Sequence, residues 1–156
     1  MGSQPSYGQI AGPLVTVQAP AAASQNFELK SGKFVYSSSG YMTIAASGAD
    51  QLFGYALIGD KTTGSAAGDD TLTVNVSTDA IYELPIDETL TEAELIALVG
   101  LACDIVTTSN IQMADVSTGT DNVLMIVGYR YYGSASGEQT VYVRMTPKEL
   151  AQTSVS

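Results

Sequence analysis

The sequence predicts a β-rich α+β fold: a small antiparallel β-sandwich or barrel-like domain with one short helix (about 91–99) and an extended N-terminal arm. Two observations support this class. Short strand-like segments follow one another closely, and clusters of Gly, Ser, Thr and Asp separate them. A complete helix signature occurs once, at 91–100, whereas a parallel α/β sheet requires repeated helices.

The first segment, 1–26, differs from the rest of the chain because it contains three prolines, a run of alanines and no charged residue. We predict an extended arm here, a β-rich core domain at 27–146 and a C-terminal tail at 147–156. Alternation at 14–18 predicts one strand that joins a sheet edge of its own subunit or of a neighbour. A disordered arm is the alternative.

Strand patterns then become regular. Segments 33–36 and 41–45 flank a Ser-Ser-Ser-Gly turn and predict a hairpin. In the next strand, 52–58, Gly54 indicates a bulge or a close backbone approach. Segment 59–70 has the composition of turns. Alternation predicts strands at 72–76 and at 81–84, the second of which stops at a proline.

The helix carries signals at both ends. Thr91 is expected to be the N-cap, with Glu94 completing a capping box. Gly100 is suited to the left-handed conformation that closes the last turn. The apolar positions predict a face that packs on a sheet, namely Leu95, Leu98 and Val99, widened by Ile96, with Leu90 and Leu95 as a hydrophobic staple.

Beyond the helix, strands are predicted at 101–107 and 111–113. The strongest strand signals, 123–132 and 139–145, predict a hairpin around a flexible loop at 133–137. On its second strand, Val141 and Val143 share one face and Tyr142 and Arg144 share the other.

Composition narrows the range of functions. The 156 residues carry 16 acidic and six basic side chains, a net charge of −10, which repels phosphate backbones and anionic membranes. We therefore expect neither nucleic acid nor a membrane as partner. Charged residues amount to only 14%, and a surface rich in Ser and Thr is typical of many assembled or extracellular proteins.

Catalytic residue types are scarce. The chain has no histidine, which excludes a Ser-His-Asp triad and a Cys-His pair, and its single cysteine, Cys103, is predicted to be a small core residue. Acidic pairs at 69–70, 87–88 and 92/94 are explained by a Gly-rich loop and by the helix N-terminus. The loop at 115–122 offers oxygen ligands for a hard cation or is simply solvated. We predict no enzyme activity, cofactor or metal.

The second hairpin is rich in tyrosine and arginine, residue types that are enriched at protein interfaces. This patch is a candidate oligomer interface, and its alternatives are a half-exposed sheet face within one subunit or a stacking site for sugars. Its candidate residues are Arg130, Tyr131, Tyr132, Tyr142 and Arg144.

Taken in order, several short segments resemble the capsid decoration (head-stabilising) proteins of tailed bacteriophages. They are Gly-Lys-Phe-Val-Tyr at 32–36, Leu-Phe-Gly-Tyr-Ala at 52–56, Thr-Val-Asn-Val at 73–76, the capped helix leading into 98–105, Val-Gly at 127–128 and Val-Tyr-Val-Arg at 141–144. The resemblance covers about 27–145.

This resemblance implies a non-enzymatic structural protein that binds the outer surface of a phage capsid and stabilises the head by clamping neighbouring capsomers. The implied partners are the major capsid protein and copies of the chain itself, in a trimer. The implied location is the outer capsid surface of the virion, after synthesis in the bacterial host cytoplasm. By position, the arm would contact the capsid or a neighbouring subunit, through Tyr7, Ile10, Leu14, Val15 and Val17.

The alternative function is a carbohydrate-binding or adhesive module of a phage fibre or bacterial surface. The tyrosine-rich hairpin and the polar loops suggest this alternative.

Overall fold

Antiparallel strands dominate the structure, a computed structural model that describes residues 8–27, 32–59, 61–117, 119–134 and 138–146. Thirteen strands and one helix occur in these ranges, so the predicted β-rich α+β class is confirmed. The elements are β1 (Gly8–Ala11), β2 (Thr16–Pro20), β3 (Asn26–Phe27), β4 (Lys33–Ser38), β5 (Tyr41–Ile44), β6 (Gly54–Ala56), β7 (Lys61–Thr62), β8 (Thr71–Asn75), β9 (Ile81–Pro85), α1 (Glu92–Leu98), β10 (Ala102–Thr108), β11 (Ile111–Asp115), β12 (Leu124–Tyr131) and β13 (Gln139–Met145).

The strands form two curled sheets and a two-stranded ribbon. One sheet has the order β1-β9-β13-β12-β10-β11, the other has the order β2-β8-β6-β4-β5, and β3 pairs with β7. A parallel bridge between Ile86 and Ala114 brings the end of β9 beside β11. A second bridge, between Ala21 and Met42, brings the end of β2 beside β5. Each sheet therefore curls towards closure into a small barrel.

Both predicted hairpins are present. β4 pairs with β5 across a tight turn, and β12 pairs with β13 over most of its length. On β13, Val141 and Val143 are buried while Tyr142 and Arg144 lie on the opposite face, as the alternation predicts. The close approach predicted at Gly54 is also confirmed, because a Cβ atom there would lie 2.5 Å from the carbonyl oxygen of Asn75 on β8.

Within the segment predicted to be an arm, β1 pairs with β9 and β2 pairs with β8. The described part of this segment therefore contributes a strand to each sheet of its own chain. The alternation at 14–18 allows a strand on a sheet edge of the same subunit or of a neighbour, and β2 pairs with β8 of its own chain.

Two segments differ from their predictions. The turn-like stretch 59–70 contains β7, whose backbone pairs with β3. In α1, Leu95 is buried and Leu98 is half-buried against the core, but Ile96 and the following Val99 are exposed. Val99 is exposed because it leaves the helix with an extended backbone (ψ 127°) and so turns away from the apolar face.

The ends of α1 match the prediction. The backbone N–H of Glu94 donates to the Thr91 hydroxyl, and the Glu94 carboxylate accepts from the Thr91 N–H, which completes the capping box. Gly100 follows the helix with a φ of +93°, a conformation that favours glycine.

The core consists of two clusters separated by the five-stranded sheet. The larger cluster lies between the two sheets and α1, and the smaller one is enclosed by the five-stranded sheet together with Phe27 of β3. Successive residues of β4 and β6 alternate between them: Phe34 and Tyr55 join the larger cluster, whereas Val35 and Ala56 join the smaller. The central strands of this sheet are therefore buried on both faces.

Three aromatic rings meet between the sheets. The Phe34 ring lies edge-on to Tyr55 and to Tyr82, with centroids 5.0 and 4.8 Å away, and the two tyrosine rings stack at 4.5 Å. The Tyr55 hydroxyl donates to the carbonyl oxygen of Gly32 at 2.8 Å. Such aromatic pairs contribute about 0.5–1.5 kcal/mol each beyond the area that they bury.

Gln112 on β11 joins the six-stranded sheet to β4 and β5. Its Oε1 accepts from the Phe34 N–H at 2.7 Å, and its Nε2 donates to the carbonyl oxygens of Phe34 (3.0 Å) and Ala45 (2.9 Å). The Thr107 hydroxyl donates to the same Ala45 oxygen at 2.8 Å. Because the Gln112 side chain is buried, water does not replace these bonds when they are lost.

We expect Gln112→Ala to lower the free energy of unfolding by about 3 kcal/mol, because it leaves the buried Phe34 N–H without a partner and removes one of the two hydrogen bonds that the Phe34 and Ala45 carbonyl oxygens each accept. Gln112→Glu keeps the acceptor but loses both donated hydrogen bonds. At neutral pH this variant should therefore lose a similar amount of free energy of unfolding. Urea denaturation followed by circular dichroism measures both effects.

The matched control is Gln18→Ala, since the exposed Gln18 donates only to the Thr73 hydroxyl at 2.9 Å. It should change stability by less than about 0.5 kcal/mol. Equal effects at positions 112 and 18 would contradict the role assigned to Gln112.

Candidate functional site

Four aliphatic side chains of the N-terminal segment are exposed. Ile10 lies on β1, Leu14 and Val15 lie in the connection that follows, and Val17 lies on β2. Leu14 is 61% exposed. We call these four residues the N-terminal surface. Tyr7, the fifth residue predicted for this contact, lies outside the described residues.

Asn75, at the end of β8, anchors the N-terminal surface. Its Oδ1 accepts from the N–H groups of Val15 and Ser77, both at 3.1 Å. Its Nδ2 donates to the Gln9 side chain at 2.9 Å and to the Pro13 carbonyl at 3.2 Å. Asn75 is fully buried. Through these hydrogen bonds, its side chain attaches Gln9, Pro13 and Val15 to the end of β8. Burial also excludes glycosylation of the Asn-Val-Ser pattern in the folded chain.

Gly12 fixes the path of the same connection. Its φ is +92°, and a Cβ atom would lie 2.6 Å from the Asp79 carbonyl oxygen and 2.7 Å from the Ala80 Cα. Only glycine fits this close approach without a backbone shift. The exposed aliphatic side chains therefore project from a segment held at several points.

The second predicted surface, on the β12–β13 hairpin, is divided between two faces by a β-bulge. The register shifts between Ile126 and Gly128, so Tyr129 and Tyr131 pack against the core while Arg130 and Tyr132 face outward. Tyr131 is thus not on the same face as the other four candidate residues. Strict alternation without the bulge would have placed Arg130 on the core side.

Arg130 is already paired within its own subunit. Its Nε lies 3.0 Å from the carboxylate of Glu83, which is buried and also accepts from the Thr140 hydroxyl at 2.6 Å. The guanidinium carbon lies 4.9 Å from the centre of the Tyr132 ring, and Tyr132 is 70% exposed. The Arg130 guanidinium, held by Glu83, thus makes a cation–π contact with the exposed Tyr132 ring.

Tyr142 and Arg144 lie further along the outer face. The Tyr142 ring covers Gly128, where a Cβ atom would be only 2.8 Å from the ring. The guanidinium of Arg144 lies 3.8 Å from the sulfur of Met125 on β12. We call Tyr132, Tyr142 and Arg144 the hairpin face.

The sequence did not single out a third exposed apolar surface, at the end of α1. Ile96 and Leu101 are 55% and 53% exposed, and Val99 and Val127 are also exposed. Backbone hydrogen bonds from Gly100 to Ile126 and from Ile126 to Leu101 hold these residues side by side. We call Ile96, Val99, Leu101 and Val127 the helix-end surface. Val99 belongs to this surface because its extended backbone turns it away from the helix.

The loop at 115–122 is organised by a residue outside it. The buried Asp104 carboxylate accepts backbone N–H groups of Thr120 (3.2 Å), Asp121 (2.8 Å) and Asn122 (2.7 Å). Asp115 accepts from the N–H and hydroxyl of Ser117 instead. No group of three or more potential metal-ligating side chains occurs in the part of the chain that the structure describes.

Asp87 and Asp115 lie together where β9 meets β11. The pKa of Asp87 is raised, first by loss of hydration and then by Asp115, while the N–H of Val116 at 3.1 Å opposes the rise. The neighbouring Cys103 is buried as predicted, and burial raises the pKa of its thiol to about 12. The thiol is therefore protonated and unreactive at neutral pH.

The acidic pair at 69–70 serves the fold. Asp70 forms an ion pair with Lys61 at 2.6 Å and accepts from the Gly64 N–H at 2.7 Å, and both bonds lower its pKa. Asp69 accepts from the Ala66 N–H at 3.1 Å. Both carboxylates thus close the Gly-rich loop.

Comparison of the chain with protein-family models, with curated proteins and with solved structures gave no match. In the described ranges, no helix has the length and apolar character needed to cross a membrane.

We expect Asn75→Ala to destabilise the fold by about 3 kcal/mol, because it removes the four hydrogen bonds of a buried side chain and releases the connection between β1 and β2. Amide hydrogen exchange should accelerate most at Val15 and Ser77, the two residues whose N–H groups Asn75 accepts. Exchange that stays at the wild-type rate there would contradict the anchoring role.

Asp87→Asn tests the acidic pair at the β9–β11 junction. A carboxyl group whose pKa is raised on folding stabilises the folded state only while the group is protonated. That contribution to stability is lost as the pH rises through the folded-state pKa. The variant should therefore be more stable than wild type at pH ~7, by less than about 1 kcal/mol since Asp87 lies at the surface.

The stability difference should disappear near pH ~3, where Asp87 is largely protonated whether the chain is folded or not. Thermal unfolding across this pH range measures it. Asp79→Asn is the control, because it removes one charge from the same acidic chain without touching the junction. Equal stabilisation by both variants would assign the effect to net charge alone.

Proposed function

We propose that this chain is a non-enzymatic structural protein that binds the outer surface of a phage capsid and stabilises it by clamping neighbouring capsomers. The observation that carries the proposal is the N-terminal surface: exposed Ile10, Leu14, Val15 and Val17 on a segment that is held in place by Asn75. Exposed apolar groups on a fixed backbone lose little conformational entropy when they bind a partner.

The chemistry of this surface suits a large protein partner. Residues 1–26 contain no charged side chain, so the segment can lie on a protein surface without desolvating an ion. The order of segments at 27–145 that resembles decoration proteins points to the same class of function. The proposed partner is the major capsid protein, and the proposed location is the outside of the virion.

Oligomerisation fits this role. A single N-terminal surface offers a small contact area, whereas a trimer presents three such surfaces to a symmetric shell and gains affinity through avidity. We propose a homotrimer, in which the hairpin face remains a candidate contact between subunits. Tyr131 is not included in this contact, because it packs against the core.

Leu14→Lys should weaken binding to expanded, undecorated heads of the phage that encodes the protein by at least about tenfold. The change places a charge in an apolar contact, while the exposed position lets the fold remain intact. Co-sedimentation of purified protein with heads measures binding. Point variants are sharper than deletion of the segment, which would remove β1 and β2 together.

Ile111→Lys is the matched control, because Ile111 is exposed on β11, outside all three surfaces. Its binding should equal that of the wild type. A folded wild-type protein that does not bind heads would refute the capsid proposal.

The second candidate function, binding of carbohydrate, is favoured by one observation. The Tyr132 ring is 70% exposed and is supported by Arg130, an arrangement suited to stacking on a sugar ring. Glycan-array binding that is lost in Tyr132→Ala and kept in Tyr41→Ala, another exposed tyrosine, would favour this function over decoration.

A further inference from the structure

The helix-end surface has no role in the capsid contact proposed above. Its four aliphatic side chains lie around the junction of α1 with β10 and the neighbouring β12. The exposed face of α1 continues it, because Ala93 and Ala97 are also exposed. Small and aliphatic residues thus cover this side of the helix, and adjoining exposed apolar side chains are a feature of interaction sites.

Opposite charges flank this apolar area. Glu92 and Glu94 are exposed in the first turn of α1. On the other side, Ala102 of β10 pairs with Met125 of β12, and Met125 pairs with Arg144 of β13. The helix-end surface therefore lies between a negative edge on the helix and a positive edge on the hairpin.

Arg144 differs from the other basic side chains that the structure describes. Lys33 is buried and donates to the Asn110 carbonyl, Lys61 pairs with Asp70, and Arg130 pairs with Glu83. Arg144 contacts the Met125 sulfur, and no described carboxylate oxygen lies within 4.0 Å of it. Arg144 is thus a half-buried basic residue without a carboxylate partner among the described residues, in a chain of net charge −10.

We propose that a second copy of this chain covers the helix-end surface, with Arg144 of one copy paired to Glu92 of the other. The charge pattern favours this occupant, because every copy carries both Arg144, which has no carboxylate partner among the described residues, and the acidic edge, with apolar side chains between them. Burial of these side chains supplies affinity, and the ion pair sets the orientation of the two copies.

The biological role of this contact rests on the proposed function. The contact places the interface between subunits on a surface outside the N-terminal segment. The N-terminal surface then stays free for the capsid. Arg144 belongs to this contact, whereas Tyr132, on the same outer face, is not required for it.

The test is sedimentation equilibrium of the full chain in a micromolar dilution series. Wild-type protein should form a defined oligomer. Ile96→Lys should weaken association at least about tenfold, and Ile111→Lys should leave it within about twofold of wild type. Both positions are exposed, so circular dichroism and the melting temperature should match wild type in each variant.

Charge reversal tests the pairing itself. Arg144→Glu and Glu92→Arg should each weaken association at least about tenfold, and the double variant should recover most of the loss. Monomeric wild-type protein, an Ile96→Lys variant that associates normally, or a double variant no better than the singles would overturn the proposal. Head binding by a monomeric wild type would refute this contact alone, whereas a stable oligomer that does not bind heads would refute the capsid function alone.

Discussion

The architecture depends on the hydrogen bonds that the Gln112 side chain makes to Phe34 and Ala45. The two curled sheets are separate ladders in the described part of the chain, so backbone pairing alone does not join them at this point. The primary amide of Gln112 presents one donor side and one acceptor side, as a neighbouring strand would. It thereby holds β4 where Phe34 reaches Tyr82 and completes the aromatic cluster between the sheets.

The same solution recurs elsewhere. Gln139 accepts from the Leu90 N–H at 2.8 Å and donates to the Leu90 carbonyl, which fixes the entry to α1, and Asn75 holds the connection between β1 and β2. Neutral amides satisfy buried backbone groups without the desolvation penalty of an ion. This is one physical reason why a chain with only 14% charged residues can connect curled sheets.

The exposed surfaces follow from irregularities in these elements. The bulge at Val127 turns Arg130 and Tyr132 outward and Tyr131 towards the core, and the end of α1 at Leu98 leaves Val99 exposed. The N-terminal surface also depends on a local irregularity, because Gly12 allows a turn of the backbone that a side chain would block. The proposed capsid contact and the proposed subunit contact occupy different surfaces, so one subunit can make both.

The sequence by itself determined the local structure: the capping box of α1, both hairpins, the inward Val141 and Val143, the close approach at Gly54 and the buried Cys103. Caps and turn chemistry act between residues near in sequence, while periodicity and residue type indicate which positions are buried or closely approached. Only the tertiary structure decided the roles of Gln112, Asn75 and Asp104, the pairing of Arg130 with Glu83 and the exposure of Ile96. Their partners lie many residues away or on another element, and a one-residue bulge reverses the face of every residue after it, so no local pattern specifies them.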